Sequence, residues 1–362
     1  MNKLLHRQYY PPFIIVIVLL TAQIFTGCSG SGGELKQEQF GFNSPVVLKN
    51  LRTAAASVVG VSVTATYRVE TFRYELQNGK AIPDTTSPTG YKLLPRGKGI
   101  IFSEEERIMQ GCGTLIYKDE KNSIILTCQH VFSSPDTILS YYMGEDGKLS
   151  DILSYRSVKS RTQYYIIDQF DMANHASMVY SNLRVDLALL KTGTTLNLGQ
   201  QFPFSYTYEH EPDWGDPVYI FGYPKSSKQV TLGIVSPLSY AGNYIVDGAT
   251  RPGFSGGAVL GVRTDGNLEF LGLIRAVPAV KLRYISPPPD LPKGAPLIEE
   301  DLPKTRVEEE NLPEGNAAYV VSMKKIGIFL EEAAPSLLRE HVTLPPSLFP
   351  PTEEKKSESE HP

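Results

Sequence analysis

Apolar residues along this chain come in short runs separated by glycine, proline and polar clusters, the rhythm of strands and turns rather than of long helices. Ala54–Thr66 reads as a helical turn running into a first strand. Cys112–Tyr117 and Ile124–Thr127 flank a polar turn, Lys118–Ser123, and predict a hairpin. Ile138–Met143 and Leu149–Tyr155 predict another, around Gly144–Gly147. Further strands are expected at Leu187–Leu190, Val218–Phe221, Thr231–Ser236, Asn243–Asp247, Leu268–Ile274 and Ala317–Val321. Three stretches, 71–110, 158–182 and 280–311, hold no sustained period and are expected as surface insertions. Met323–Ala334 has helical spacing, with Ile326, Phe329 and Leu330 on one face, and Pro335 is expected to end it. The charged segment that follows, to residue 362, is expected to be disordered.

Composition agrees with an all-β class: 30 glycines, 27 prolines and 20 tyrosines among 362 residues suit many strands joined by tight turns. The net charge of −4, from 35 basic and 39 acidic residues with no basic stripe, disfavours nucleic acid as a partner. At the N-terminus, Lys3 and Arg7 precede the apolar run Phe13–Leu20, too short for a comfortable membrane span and fitting a secretory signal. Phe25-Thr26-Gly27-Cys28 resembles the lipobox of bacterial lipoproteins, although leucine is usual where Phe25 stands. That resemblance implies removal of residues 1–27, lipidation (palmitate included) of Cys28, and a tether over 28–53. The chain would then be lipid-anchored on the periplasmic or extracellular face of a bacterial membrane.

Two further cysteines fall in the first strong hairpin. If that hairpin is symmetric about Glu120, Cys112 lies opposite Cys128, within reach of a disulfide. In an oxidising compartment the bond is expected; the alternative is a pair of buried free thiols.

The chemistry centres on Val246–Leu260, where Ser255 stands between glycines and is followed by an apolar strand. Gly253 and Gly256 permit a tight backbone that exposes a hydroxyl and aims N–H groups at one point, as acyl transfer requires. Gly-x-Ser-x-Gly also marks the nucleophile elbow of α/β-hydrolases, but those need a strand before the serine, a helix after it, and a histidine downstream of an acid. Arg251-Pro252 precedes this serine, a β-rich run follows it, and the only later histidines are His341 and His361, so that alternative fails on context.

Gly111-Cys112-Gly113-Thr114-Leu115-Ile116, then Ile125-Leu126-Thr127-Cys128-Gln129-His130-Val131, resembles the first hairpin and histidine turn of trypsin-like serine proteases, closest to the HtrA (Deg) branch. Asp186-Leu187-Ala188-Leu189-Leu190 is similar to that family's aspartate strand, with Asp168 and Asp171 as fallback candidates. The order His130, Asp186, Ser255 is the trypsin-like order. The resemblance spans 54–334 and implies two six-stranded antiparallel β-barrels with a C-terminal helix. It also implies an oxyanion hole from the N–H groups of Gly253 and Ser255, and a specificity pocket around Ala249, Thr250 and Gly272. Ala249 offers no counter-charge, which argues against a basic preference and for small or aliphatic residues. Phe254 stands where digestive-type members have aspartate, so activation by a cleaved N-terminal ammonium is not expected.

The residues after 334 cannot hold the PDZ domain many HtrA members carry. No cofactor or metal is implied, since no His/Cys cluster has ligand spacing in the sequence. The reading is therefore a membrane-tethered serine endopeptidase acting on proteins or peptides, with no nucleic-acid partner. Its alternatives are an inactive protease-like lipoprotein acting as a binding module, and a structural lipoprotein docking partners through the Pro-rich segment.

Overall fold

The computed structural model describes residues 44–144, 148–208, 212–237, 243–276, 279–287 and 316–350, with 291, 294–296, 298–299 and 306–313 between the last two. The predicted signal, Cys28 and residues 351–362 lie outside the described residues. Helix α1 (Pro45–Ala55) leads into β1 (Val58–Phe72), and a small hairpin follows, β2 (Leu76–Gln77) with β3 (Lys80–Ala81). Next come β4 (Ile100–Lys118), β5 (Asn122–Thr127), β6 (Thr137–Met143), β7 (Leu149–Ile167), β8 (Ala173–Asn182) and β9 (Leu187–Gly193). The second half holds β10 (Ser205–Tyr206), β11 (Pro217–Gly222), β12 (Gln229–Pro237), β13 (Asn243–Gly248), β14 (Ala258–Val262) and β15 (Leu268–Ala276). A hairpin of β16 (Ala279–Ser286) and β17 (Arg306–Pro313) precedes β18 (Ala317–Ser322) and helix α2 (Met323–Arg339).

Each half closes on itself. In the first, β1, β4, β5, β9, β8 and β7 form an antiparallel ring sealed where β1 meets β7, with β6 added to the edge of β7. In the second, β15, β14, β11, β12, β13 and β18 form a ring sealed where β15 meets β18, with β10 added in parallel to β15. This is the expected pair of six-stranded barrels with a C-terminal helix. Closure pairs both edges of every ring strand, which would otherwise invite further strand pairing.

Period-2 alternation fills both interiors. Val59, Val61 and Val63 point inward from β1 to meet Leu115, Ile125, Ile166 and Leu190. Val218 and Ile220 of β11 meet Val235, Val246, Val259 and Ile274 in the second barrel. Burial of such side chains contributes about 1.5–3 kcal/mol each.

Several expectations need revision. The stretch 71–110 is not a loose insertion: β4 pairs with β1 without a break from Val58↔Thr114 to Phe72↔Ile100. The charged run Glu104-Glu105-Glu106-Arg107 hid the strand, because this end of β4 is largely exposed and has no apolar alternation to show. Residues 158–182 are barrel staves, in β7 and β8. Their half-buried, polar faces carry little period. Within 280–311, β16 and β17 pair as a two-stranded ribbon.

Helix α2 runs past Pro335 to Arg339, anchored by buried Leu330, Ala333 and Leu337. The expected disorder from 335 does not hold for the described part of that segment. Val342, Leu344 and Leu348 are buried, and the Tyr208 hydroxyl donates to Leu348 O at 2.6 Å. At the other end, the expected tether is helical from Pro45, and Asn50 Nδ2 donates to Gly266 O at 3.0 Å.

The hairpin register is the expected one, Gly113↔Thr127 through Leu115↔Ile125, yet the disulfide is absent and both thiols are free and buried. The Cys128 thiol points across the barrel boundary and donates to Ile274 O at 3.1 Å. Cys112 lies instead within the field of Lys228. Burial pushes the Cys112 thiol up to about 12 and that of Cys128 well above its ordinary value, so both stay protonated.

Candidate active site

The first barrel positions a histidine and a carboxylate. After β5 the chain turns through a 3-10 segment, Gln129–Phe132, which lifts His130 to the surface while Val131 and Phe132 plug the barrel end. Asp186 sits just before β9 with φ +61, a left-handed conformation that aspartate tolerates better than most residues. Its backbone carbonyl takes the Gln129 N–H at 3.2 Å, so the histidine turn and the aspartate are fastened together.

The Asp186 carboxylate is held from three directions. Oδ1 accepts the His130 backbone N–H at 2.8 Å, and Oδ2 lies 2.8 Å from His130 Nδ1. The Arg275 guanidinium of β15 adds an ion pair, Nε to Oδ2 at 3.4 Å. A carboxylate only accepts, so the geometry assigns the ring proton to Nδ1 and leaves Nε2 as the basic nitrogen. Asp186 is 9 % exposed at its side chain and His130 39 %, which buries the carboxylate and leaves the imidazole open to solvent. Asp168 and Asp171 serve another purpose. Asp168 Oδ1 accepts the N–H groups of Phe170 and Met172 in the β7–β8 turn, and Asp171 accepts the Tyr223 hydroxyl at 3.2 Å.

The second barrel presents the serine. The turn Arg251–Gly257 docks its backbone on the first barrel: Ser255 O accepts the Cys112 N–H at 2.8 Å. Gly256, at φ +80, lies so close that a Cβ there would stand 2.1 Å from Cys112 O and 2.4 Å from Thr127 Oγ1. Gly253 takes φ +101, a region closed to most side chains, and its carbonyl accepts the Tyr223 N–H at 2.8 Å. Among the described residues, the N–H groups of Gly253 and Ser255 donate to no partner, whereas Phe254 N–H is used by Arg251 O. Ser255 is thus brought beside the strand end that carries His130. Among the described residues no hydrogen bond joins its hydroxyl to the ring.

Phe254 is 1 % exposed and belongs to the second barrel's core. Its ring lies against Gly222, where a Cβ would fall 2.5 Å from the ring carbons. The turn beside Ser255 is therefore anchored by apolar burial and needs no buried counter-ion.

Of the three residues expected around a specificity pocket, Ala249 is exposed at the end of β13. Thr250 is buried, and its hydroxyl is directed to Ala317 O at 3.5 Å. Gly272 is wedged against β18, where a Cβ would stand 2.2 Å from Val321 O. Only Ala249 opens to solvent.

Sequence reasoning overlooked Arg275. Its signal was a single cation inside the apolar strand Leu271-Gly272-Leu273-Ile274-Arg275. It also missed that folding brings Cys128, His130 and Asp186 together, with potential ligand atoms within 4.8 Å of one another. Zinc favours thiolate and imidazole ligands. Here the thiol is buried and kept neutral, and the Nδ1 proton is held by Asp186, so the set fits a proton-handling pair better than a resident metal.

Residues 111–268 match the trypsin-like peptidase domain. No curated protein matches the sequence. Among solved structures, the serine endoprotease from Yersinia pestis is similar at 18 % identity and a TM-score of 0.40, over 79 % of this chain and 66 % of that one. The HtrA-type protease AlgW, solved with a decapeptide, is similar at 16 % identity and a TM-score of 0.42, over 82 % of this chain and 68 % of its own.

Proposed function

We propose that the chain is a serine endopeptidase in which His130, Asp186 and Ser255 act together, a reading supported by the match of residues 111–268 to the trypsin-like peptidase domain. The observation that carries this reading is the His130–Asp186 pair, 2.8 Å apart, beside a serine turn whose two flanking N–H groups have no partner among the described residues. His130 Nε2 takes the Ser255 proton as Oγ attacks the peptide carbonyl. The developing oxyanion is received by the N–H groups of Gly253 and Ser255, where loss of one donor typically lowers turnover about 10²–10³-fold. The imidazolium gives its proton to the departing amine and leaves an acyl-enzyme. A water deprotonated by the same nitrogen then releases the acid and restores the serine.

Substrates are proteins or peptides. The uncharged Ala249 supports small or aliphatic residues before the scissile bond. The signal-like N-terminus supports lipidation at Cys28 and a position outside the cytoplasm. Incorporation of an alkyne-tagged palmitate that is lost in Cys28→Ala tests that part.

A fluorophosphonate probe tests the chemistry. Wild-type protein is expected to be labelled at Ser255, with labelling abolished in Ser255→Ala and reduced on the order of 10⁴-fold or more in His130→Ala. A folded wild type that resists the probe would favour the binding-module alternative instead.

A further inference from the structure

A cavity of about 880 Å³ opens at the outer end of the first barrel, within the size range of ligand sites. None of its lining residues belongs to the site around His130. It lies between the segment Arg73–Tyr91 and the β6–β7 hairpin. The whole of that first segment falls in the stretch 71–110, expected from the sequence as a surface insertion.

Its walls are set in advance. Tyr74 packs edge-on against Tyr91 and Tyr142, with ring centroids 6.0 and 6.2 Å apart. Each hydroxyl is tied elsewhere: Tyr74 to Leu153 O at 2.8 Å, Tyr91 to Asp151 at 2.8 Å, Tyr142 to Phe72 O at 2.7 Å. Rings fixed in this way need little ordering when something binds. Leu76 and Met143 complete an apolar lining while remaining 64 % and 45 % exposed. Exposed apolar groups gathered in a concavity mark an interaction site more often than single ones do.

Two further features define the occupant. Arg73 and Lys80 line the cavity and have no acidic partner among the described residues, while Glu75 is engaged by Lys92 at 2.7 Å. The site therefore favours negative charge beside apolar groups. Furthermore, β6, whose last residues form one wall, pairs among the described residues only with β7, which leaves its outer edge open there. An open edge offers alternating N–H and C=O groups that a polypeptide backbone can satisfy and a fatty acyl chain cannot.

We propose that this cavity and the open edge of β6 form a docking site for an extended polypeptide segment carrying apolar and acidic side chains two positions apart, on one face. The segment adds a strand to β6, lays an apolar side chain among the tyrosines, and sets its carboxylates against Arg73 and Lys80. The site goes beyond the proteolytic reading and does not depend on it.

The test uses the full-length chain carrying Ser255→Ala, so that the probe is not cleaved whatever the role of that serine. The probe is a fluorescein-labelled decapeptide in which phenylalanine and glutamate alternate at every second position with serine between them, so that both lie on one face of the added strand, and binding is followed by anisotropy. Binding is expected to weaken about tenfold when Arg73→Glu and Lys80→Glu are combined. Both positions are exposed, so the fold is not at stake. Tyr142→Ala is expected to weaken binding as well. Methylating alternate backbone nitrogens of the peptide should abolish binding, because side chains are kept but the strand edge can no longer pair. Equal binding by the methylated peptide overturns the strand-addition geometry. No change on charge reversal overturns the site, as does dodecanoate binding that the decapeptide does not displace.

Discussion

The two barrels solve the same closure problem with different strands. The first uses long ones, with 15 residues in β1 and 19 in each of β4 and β7. The second uses short ones, six residues in β11 and β13 and five in β14. In the first barrel the surplus length extends beyond the core as an exposed ribbon and, with β6, forms one side of the tyrosine-lined cavity. In the second the shorter strands end closer to the core that Val218, Ile220, Val246 and Val259 fill, and the turn between β13 and β14 carries the serine. The contrast divides the labour of the site. The first barrel holds polar groups by hydrogen bonds, as in the three-way grip on Asp186. The second holds a turn by shape, with Phe254 packed on Gly222 and glycines where no side chain fits.

If shape holds the turn, its largest test is Phe254→Ala. Truncating a fully buried phenylalanine costs about 3–5 kcal/mol, and here the cavity would open directly beneath the unpartnered N–H groups. The variant is expected to lose that much in urea unfolding and to lose fluorophosphonate labelling more steeply than stability alone explains. Phe254→Leu should recover most of both. If Phe254→Ala keeps full reactivity once folded, the turn is held by its backbone alone and the contrast between the barrels fails.

Next in size is Arg275, where the second barrel reaches into the first barrel's polar machinery. Arg275→Leu leaves Asp186 with only the histidine turn to orient it. A fall in kcat of about tenfold, or ~1.4 kcal/mol, is expected with KM little changed. Arg275→Lys should restore part of it, since charge returns without the fixed planar geometry. A rise in KM at constant kcat would instead place Arg275 in substrate binding.

A smaller effect separates core from ribbon. Glu70 is buried on β1 and takes Arg156 of β7 through Nε at 2.8 Å and Nη2 at 2.5 Å. Arg156 is 46 % exposed, so water compensates much of its loss. Glu70→Ala is expected to cost only about 1 kcal/mol. Amide exchange should quicken in the paired segment around Val69↔Ser157 and stay unchanged at Ile125. Uniform acceleration would mean that ribbon and barrel open as one unit.

The same contrast decides what could be read from the residues alone. The second barrel was legible because its strands are short, apolar and bounded by glycine, as in Pro217–Gly222 and Ala258–Val262. The histidine turn and the aspartate strand were legible because both adjoin largely buried, apolar strands, β5 and β9. The ribbon was not: a strand exposed on both faces, such as the charged stretch Ser103–Arg107, has no alternation to betray it. The free thiols illustrate another limit. Pairing register follows from chain symmetry, but the direction of the Cys128 side chain depends on Ile274 O, supplied by a strand nearly 150 positions away. Arg275 was hidden for the same reason, since its partner lies in the other barrel.

The smallest expected effect concerns how the barrels are held together. Helix α2 leaves β18 of the second barrel and packs on the first, where Tyr180 meets Phe329 and Asn182 Nδ2 donates to Glu332 at 2.9 Å. Its end is fastened by Lys191 of β9, whose ammonium pairs with Glu340. The Lys191 hydrogen bond, then its charge, holds the Glu340 carboxyl below the ordinary carboxylate range. A depressed acid contributes stability that is complete above the unfolded-chain pKa, about 4.3, and is lost as pH falls through the lower folded-state value. The Tm of wild type should therefore exceed that of Lys191→Ala by a small margin at pH 7, and the two should converge as the solution is acidified below pH 4. Raising salt to about 1 M at pH 7 should narrow the margin too, because Glu340 is exposed and the pair is screened. A margin indifferent to both pH and salt would show that Lys191 acts through its apolar stem, and that apolar contacts such as Tyr180–Phe329 alone clamp the helix across the two barrels.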